Sequence, residues 1–174
     1  MNAYVKVLVN IILRRLGPED LPDSSFLLGF SLAVYLVLQV FLALILFGPS
    51  VILIKTLALD IALLTFCLWA LLRLTGFQPR FRQTLTALLG TSALLSFLSA
   101  PFSLWRQYSI NIEADPALPS TVVFAIMLWS LVIDGHILSR ALSKPFGIGL
   151  IASVVYFFLH ALVLSQLLRP GISS

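Results

Sequence analysis

Apolar residues form long runs along this chain, and polar residues interrupt those runs at short intervals. An α-helix needs about 20 mostly apolar residues to cross the hydrocarbon core of a bilayer. Five runs reach that length, approximately at 26–47, 51–73, 82–104, 119–140 and 146–168. The pattern therefore predicts an all-α integral membrane protein, a bundle of five transmembrane helices in one membrane domain over residues 26–168.

Short breaks that contain helix-ending residues separate the five runs. "FGPS" joins the first two as a tight hairpin, and Gly76 and Pro79 interrupt the chain between the second and the third. "RQYSINIEADPALPS" is the longest polar loop, and "LSKPFG" joins the last two runs. These connections are too short for a soluble domain, and residues 169–174 are predicted to form a short tail.

The segment before the first run predicts a different kind of helix, over residues 1–17. Its apolar part, residues 3–16, would be about 21 Å long, too short to span a bilayer. Lys6, Asn10 and Arg14 are spaced four residues apart and form one polar stripe. This predicts an amphipathic helix in the membrane interface, with Lys6, Arg14 and Arg15 as its membrane-surface anchor. A helix packed on the ends of the spans fits the same pattern, and the two arrangements are compatible.

Residues 18–25 are predicted to be a capping linker between this helix and the first span. Gly17 and Pro18 stop the first helix, and Asp23 or Ser24 is placed to cap the next one. The segment lacks the pattern of a cleaved signal peptide, because its two arginines follow the apolar core instead of preceding it.

Composition and charge agree with a protein that is surrounded by lipid. Hydrophobic residues make up 60% of the chain and charged residues 10%, whereas soluble domains have about 25% charged residues. The net charge is +4, but the basic residues are scattered between apolar runs, so no nucleic-acid binding is predicted. The predicted partners are the lipid bilayer and other membrane proteins or further copies of this chain.

The basic residues are unevenly divided between the two ends of the predicted spans. Short loops rich in Lys and Arg usually face the cytoplasm. The side opposite the amino terminus has Arg106 and Arg169, with Lys55 a few residues inside the second span, and its long loop contains Glu113 and Asp115. The predicted orientation is therefore a cytoplasmic amino terminus and an external carboxyl terminus. The basic residues on the amino-terminal side are Lys6, Arg14, Arg15, Arg73, Arg80, Arg82, Arg140 and Lys144.

Few ionisable residues lie inside the predicted spans, and their cost in lipid makes them functional candidates. Asp60 in the second span and His160 in the fifth fall at similar depth, so they form a candidate intramembrane polar pair. Such a pair either fixes the packing of two helices or relays protons. Asp134, His136 and Arg140, towards the inner surface in the fourth span, form a candidate inner-interface polar cluster.

The third span is rich in small residues, which allow helix backbones to approach closely. Gly90, Ser92, Ser96 and Ala100 form its predicted helix-packing face. We therefore expect this span to lie at the centre of the bundle.

Catalysis is not predicted by any motif in the sequence. "GTSA" at 90–93 resembles the serine motif of rhomboid intramembrane proteases, but Ala93 stands where those enzymes need glycine, and the spans number five instead of six. The single cysteine, Cys67, excludes an internal disulfide. No zinc or nucleotide-binding motif occurs. We expect a protein that is not an enzyme and needs no cofactor.

Two stretches resemble the Yip family of Yip-domain membrane proteins. Residues 76–105, "GFQPRFRQTLTALLGTSALLSFLSAPFSLW", are similar to its basic loop and small-residue third span. Residues 123–158 are similar to its last two spans, with Trp129 in the matching position. The resemblance implies five spans, and the short loops imply a bacterial member in the inner membrane. The long acidic amino-terminal domain and the "DLYGP"-like and Gly-Tyr motifs of eukaryotic members are missing, so binding to Rab-type GTPases is not implied.

These features predict a non-enzymatic inner-membrane protein, an accessory, assembly or scaffold subunit that acts through helix–helix and lipid contacts. The alternative is a small transport or proton-coupled subunit that uses Asp60 and His160.

Overall fold

The computed structural model describes residues 2–167, which form six α-helices joined by short turns. Single 3₁₀ turns at Pro18–Asp20 and Gln78–Arg80 lead towards the second and the fourth helix. The predicted tail, residues 169–174, lies outside the described residues. The helices are α1 (Asn2–Ile12), α2 (Ser25–Phe47), α3 (Val51–Thr75), α4 (Phe81–Asn111), α5 (Ala117–Ala141) and α6 (Phe146–Leu167).

Helices α2 to α6 are each long and apolar enough to cross a membrane. The prediction of an all-α membrane protein with five spans and a short amino-terminal helix is therefore confirmed. The observed bounds differ most from the predicted ones in α4. This helix contains 31 residues and continues to Asn111, beyond its predicted end at residue 104. Pro101 lies inside α4 without ending it.

Helix α1 ends at Ile12, before the predicted end at residue 17. Arg14 has a left-handed backbone conformation with a φ of 60°. The amides of Arg14 and Arg15 donate hydrogen bonds of 2.8 and 2.9 Å to the carbonyls of Ile11 and Asn10. These two bonds form a Schellman motif, which satisfies the free carbonyls at the end of a helix. The chain therefore turns before it reaches Gly17, which is buried in the following turn.

Helix α4 lies at the centre of the bundle, where it packs against α2 on one side and α5 on the other, and also contacts α1. Every residue from Thr84 to Thr91 is buried. Buried hydroxyl groups need a partner, and Thr84, Thr86 and Thr91 donate to the carbonyls of Arg80, Arg82 and Ala87, one turn earlier. Helix α4 therefore passes through the core without leaving these polar groups unsatisfied.

Helices α5 and α6 form the closest helix pair in the bundle, and glycines make their crossing possible. A Cβ atom on Gly135 would lie 2.8 Å from the Cα atom of Leu150, and one on Gly149 would collide with the Gly135 carbonyl and with Ser139. The hydroxyl of Ser153 donates to the carbonyl of Leu131 across the interface at 3.0 Å. Small residues at these positions allow the backbones to touch.

Helix α3 lies at the edge of the bundle and is covered least by the rest of the chain. In its most apolar stretch 6% of the residues are buried, against 50% in the span that contains α4. An apolar groove of about 670 Å³ separates it from α2, between Val40 and Leu44 on one wall and Ile54 and Leu57 on the other. Helix α3 therefore has open space between itself and α2.

Candidate functional site

Three polar side chains from three helices meet inside the membrane region. The Oδ1 atom of Asp60 in α3 lies 3.1 Å from Nε2 of His160 in α6. The other carboxylate oxygen, Oδ2, accepts a hydrogen bond of 2.5 Å from the hydroxyl of Tyr35 in α2. We call Tyr35, Asp60 and His160 the polar triad. Both oxygens of the carboxylate therefore have a partner, each on a different helix.

The depth of the triad follows from the positions of its members along antiparallel helices. The basic end of the bundle is the end where α2, α4 and α6 begin and α3 and α5 finish. Asp60 is about 22 Å from the end of α3 there, and His160 about 21 Å from the start of α6, at 1.5 Å per residue. The sequence-predicted pair is thus brought into contact at one level, and Tyr35 completes it.

Two cavities meet at the triad. The first, which we call the α3–α6 cavity, has a volume of about 440 Å³ and extends from the triad past Leu64 and Leu71 towards the basic end. The second, the Gln39 cavity, has a volume of about 270 Å³ and extends past Thr56 towards the opposite end. Tyr35 and Asp60 line both cavities. The triad therefore separates a space on one side from a space on the other.

Asp134 lies on the wall of the α3–α6 cavity and not in the predicted cluster at the basic end. His136 lies on another face of α5, because residues two apart on a helix point in nearly opposite directions, and Arg140 follows His136 on that face after about one turn. The Nε2 atom of His136 donates to the carbonyl of Leu16 at 2.9 Å, and Arg140 Nη2 lies 2.5 Å from Glu19 Oε1. The structure therefore divides the three residues between two places.

The linker between α1 and α2 is held to the basic end by further side chains. Gln83 donates to the carbonyl of Leu21 at 2.7 Å, and Arg82 approaches Asp23 at 3.7 Å. The guanidinium of Arg80 donates to carbonyls at the end of α5. The basic residues therefore fix the linker and the helix ends to one another as well as facing the surroundings.

Helix α1 packs on the bundle through one face and is exposed on another. Leu8 and Ile11 are buried, whereas the predicted anchor residues Lys6, Arg14 and Arg15 are exposed. The hydroxyl of Tyr4 is 2.6 Å from that of Ser31 in α2. Burial raises the pKa of the Tyr4 phenol above its ordinary value, although the hydrogen bond with Ser31 acts in the other direction.

The residues of the predicted packing face of α4 have different neighbours. Gly90 faces α1, since a Cβ atom there would lie 2.8 Å from side-chain atoms of Leu8 and Tyr4. Ser92 lines the α3–α6 cavity, and Ser96 and Ala100 are half-buried. The tightest helix crossing is instead that of α5 and α6. The sequence signal for it is a pair of small residues four apart in each helix, Gly135 and Ser139, then Gly149 and Ser153.

Comparisons with protein-family models, with curated proteins and with solved structures each found no match to this chain. Within residues 2–167, no three His, Cys, Asp or Glu side chains are grouped so that they could hold a metal ion. What the fold defines is therefore a class: a polytopic helical membrane protein with five spans.

Proposed function

We propose that this protein is a non-enzymatic accessory or scaffold subunit that acts through contacts of its helices with other membrane proteins and with lipid. The observation that carries the proposal is the attachment of α3. The groove towards α2 and the cavity towards α6 leave space on both sides of this helix. Between them the polar triad joins Asp60 to both neighbouring helices.

A helix held in this way presents an open surface to the membrane. Polar contacts between helices are favourable in lipid, where an isolated polar group has no water to bind. They hold α3 without the close packing seen between α5 and α6. The outer face of α3 has Phe66 and Trp69 in contact with each other and Arg73 over the Trp69 ring, 5.0 Å from its centroid. This face is available to a helix of another protein.

The proposed setting is the inner membrane of a bacterium, with the amino terminus in the cytoplasm. The support is the concentration of arginines at the basic end and the resemblance to Yip-domain proteins. Both are sequence arguments, and the resemblance stays a prediction because no family model matches.

Photo-crosslinking in native membranes tests the contact function. Phe66 on α3 and Phe158 on α6 are 63% and 66% exposed, which makes them a matched pair of phenylalanines. A benzophenone amino acid replaces each in turn, and the membranes are irradiated. We expect discrete protein adducts from position 66 and mainly lipid adducts from position 158. Lipid adducts alone from both positions would contradict the proposal.

A second candidate function, proton-coupled transport, is favoured by the two cavities that meet at the triad. A carboxylate in contact with an imidazole is a proton-transfer pair, and here it has a space on each side. The test is proton flux into proteoliposomes under an imposed pH gradient. This function requires a flux in the wild type that is lost in Asp60→Asn and His160→Ala variants that still fold. Equal, background-level flux in all three would exclude it.

A further inference from the structure

Asp134 is a carboxyl group inside the bundle that the rest of the described chain leaves without a partner. It is about 10 Å along α5 from the end of that helix at Ala141. Its side chain is half-buried, and it lies on the wall of the α3–α6 cavity. Within residues 2–167 its oxygens take part in no side-chain hydrogen bond and no ion pair. Unpaired acidic groups at membrane depth are costly and mark functional sites.

Asp60 differs from Asp134 because its carboxylate does have partners. Asp60 lines the same cavity, but its two oxygens contact Tyr35 and His160. Asp134 faces the same space, and no described side chain is paired with its carboxyl group. The cavity therefore has one satisfied and one unsatisfied carboxyl group, and the unsatisfied one is nearer to the basic end.

The remaining wall of the α3–α6 cavity is mainly apolar. Leu64, Leu68, Leu88 and Leu138 line it, together with a few hydroxyl groups such as that of Ser92. Its volume of about 440 Å³ falls within the usual range of small-molecule sites, roughly 300–1,000 Å³. An apolar space with one unpaired acidic group suits a molecule that has an apolar chain and one positive charge.

The cavity is open towards the bilayer along α6. Ile148, Ile151 and Val155 line it, and they are 47%, 65% and 60% exposed. Helix α3 forms the wall on the other side. A ligand can therefore reach Asp134 sideways from the lipid.

We propose that the α3–α6 cavity binds a single-chain cationic amphiphile, with its alkyl chain against the leucines and its protonated amine paired with Asp134. An uncharged lipid tail would fill the apolar space but would leave the carboxylate unpaired. The positive charge of an amine complements the Asp134 carboxylate, and this favours the amine over an uncharged lipid. This inference rests on the cavity and on Asp134, and it holds whichever of the two functions above is correct.

The chain contains a reporter for this site, because Cys67, its single cysteine, lines the same cavity. The protein is placed in phosphatidylcholine nanodiscs and treated with methyl methanethiosulfonate, and the modification rate of Cys67 is followed by mass spectrometry. Dodecylamine and dodecanol are compared as protecting molecules, since they share a chain and differ in charge. At pH 8 the amine stays protonated, as a lysine does.

We expect dodecylamine to protect Cys67 at roughly tenfold lower concentration than dodecanol in the wild type, as one desolvated charge pair provides. In Asp134→Asn, which keeps the shape of the side chain, the two molecules should protect alike. Equal protection in the wild type would show a site for apolar chains only and would overturn the proposal. So would an amine preference that persists in Asp134→Asn, or the absence of protection by either molecule. Equal protection in the wild type would overturn the proposal even if the variant does not fold.

Discussion

The Nε2 atom of His160 in α6 lies 3.1 Å from the Oδ1 atom of Asp60 in α3, near the middle of both helices. The same carboxylate accepts the hydroxyl of Tyr35 from α2 at 2.5 Å. One side chain of α3 thus joins it to the helices on both of its sides. Helix α3 has buried core residues only towards its basic end, at Leu68 and Leu72, so we attribute the position of its middle to this carboxylate.

Removal of the Tyr35 hydroxyl should destabilise the bundle modestly. Interhelical hydrogen bonds in membrane proteins contribute about 0.6 kcal/mol on average and at most about 1.7. We expect Tyr35→Phe to lower the unfolding free energy by about 1 kcal/mol in the wild type and by close to zero in Asp60→Ala, because the partner is then absent. Unfolding in mixed micelles measures both values.

Tyr156→Phe is the matched control for that change. Tyr156 lines the same cavity, but its hydroxyl makes no hydrogen bond to other residues within 2–167. Its removal should therefore leave the unfolding free energy unchanged. Equal losses for Tyr35→Phe and Tyr156→Phe would show that the hydrogen bond to Asp60 does not hold α3.

The crossing of α5 and α6 should tolerate no side chain on Gly149. A Cβ atom there would overlap the Gly135 carbonyl and Ser139, whereas one on Gly147 would meet nothing within 4 Å. We expect Gly149→Ala to cost roughly 1–3 kcal/mol, as overpacked interiors do. Gly147→Ala, two residues away on the same helix, should be close to neutral. Thermal unfolding of the purified variants compares the two, and similar melting temperatures would refute the close approach.

Docking of α1 should depend on the absence of a side chain at Gly90. Leucine at that position would displace Leu8 and Tyr4, whereas Gly29 in α2 has open space around it. We therefore expect trypsin to cleave after Arg14 and Arg15 several times faster in Gly90→Leu than in the wild type. Gly29→Leu should be cleaved at the wild-type rate. Unchanged cleavage in Gly90→Leu would mean that α1 does not depend on this contact.

The proposed orientation makes a prediction about fusions at the two ends of the spans. Alkaline phosphatase fused after Ser174 should be active, since this enzyme folds only outside the cytoplasm, and a fusion after Lys144 should be inactive. Green fluorescent protein at the same two positions should give the reverse pattern. An active phosphatase after Lys144 would contradict the positive-inside argument.

Much of the fold could be predicted from the sequence, because membrane-crossing helices are determined by the length and polarity of each run. The contact of Asp60 with His160 followed from their equal depth. Tyr35 could not be identified, since a tyrosine in an apolar run has the same pattern whether it faces lipid or a carboxylate. The end of α1 was missed because a non-glycine residue, Arg14, adopts the left-handed conformation that closes the helix.

The sequence also could not predict that the candidate cluster in α5 is divided between two places. Depth places Asp134, His136 and Arg140 near one end of the span, but rotation about the helix axis decides which neighbours they meet. His136 and Arg140 are four residues apart and reach the same linker, while Asp134 faces the α3–α6 cavity. Hydropathy gives depth and not rotation, so the cavity itself could not be predicted.

The attachment of α3 through Asp60 is the claim on which the proposed function depends, and a distance measurement tests it most directly. In a Cys67→Ser background, spin labels replace the exposed residues Phe66 on α3 and Phe158 on α6. Pulsed electron paramagnetic resonance then gives the distribution of distances between them in nanodiscs. We predict one narrow distribution with Asp60 intact and a clearly broader one in Asp60→Leu. An equally narrow distribution in Asp60→Leu would show that α3 is held by something other than the polar triad.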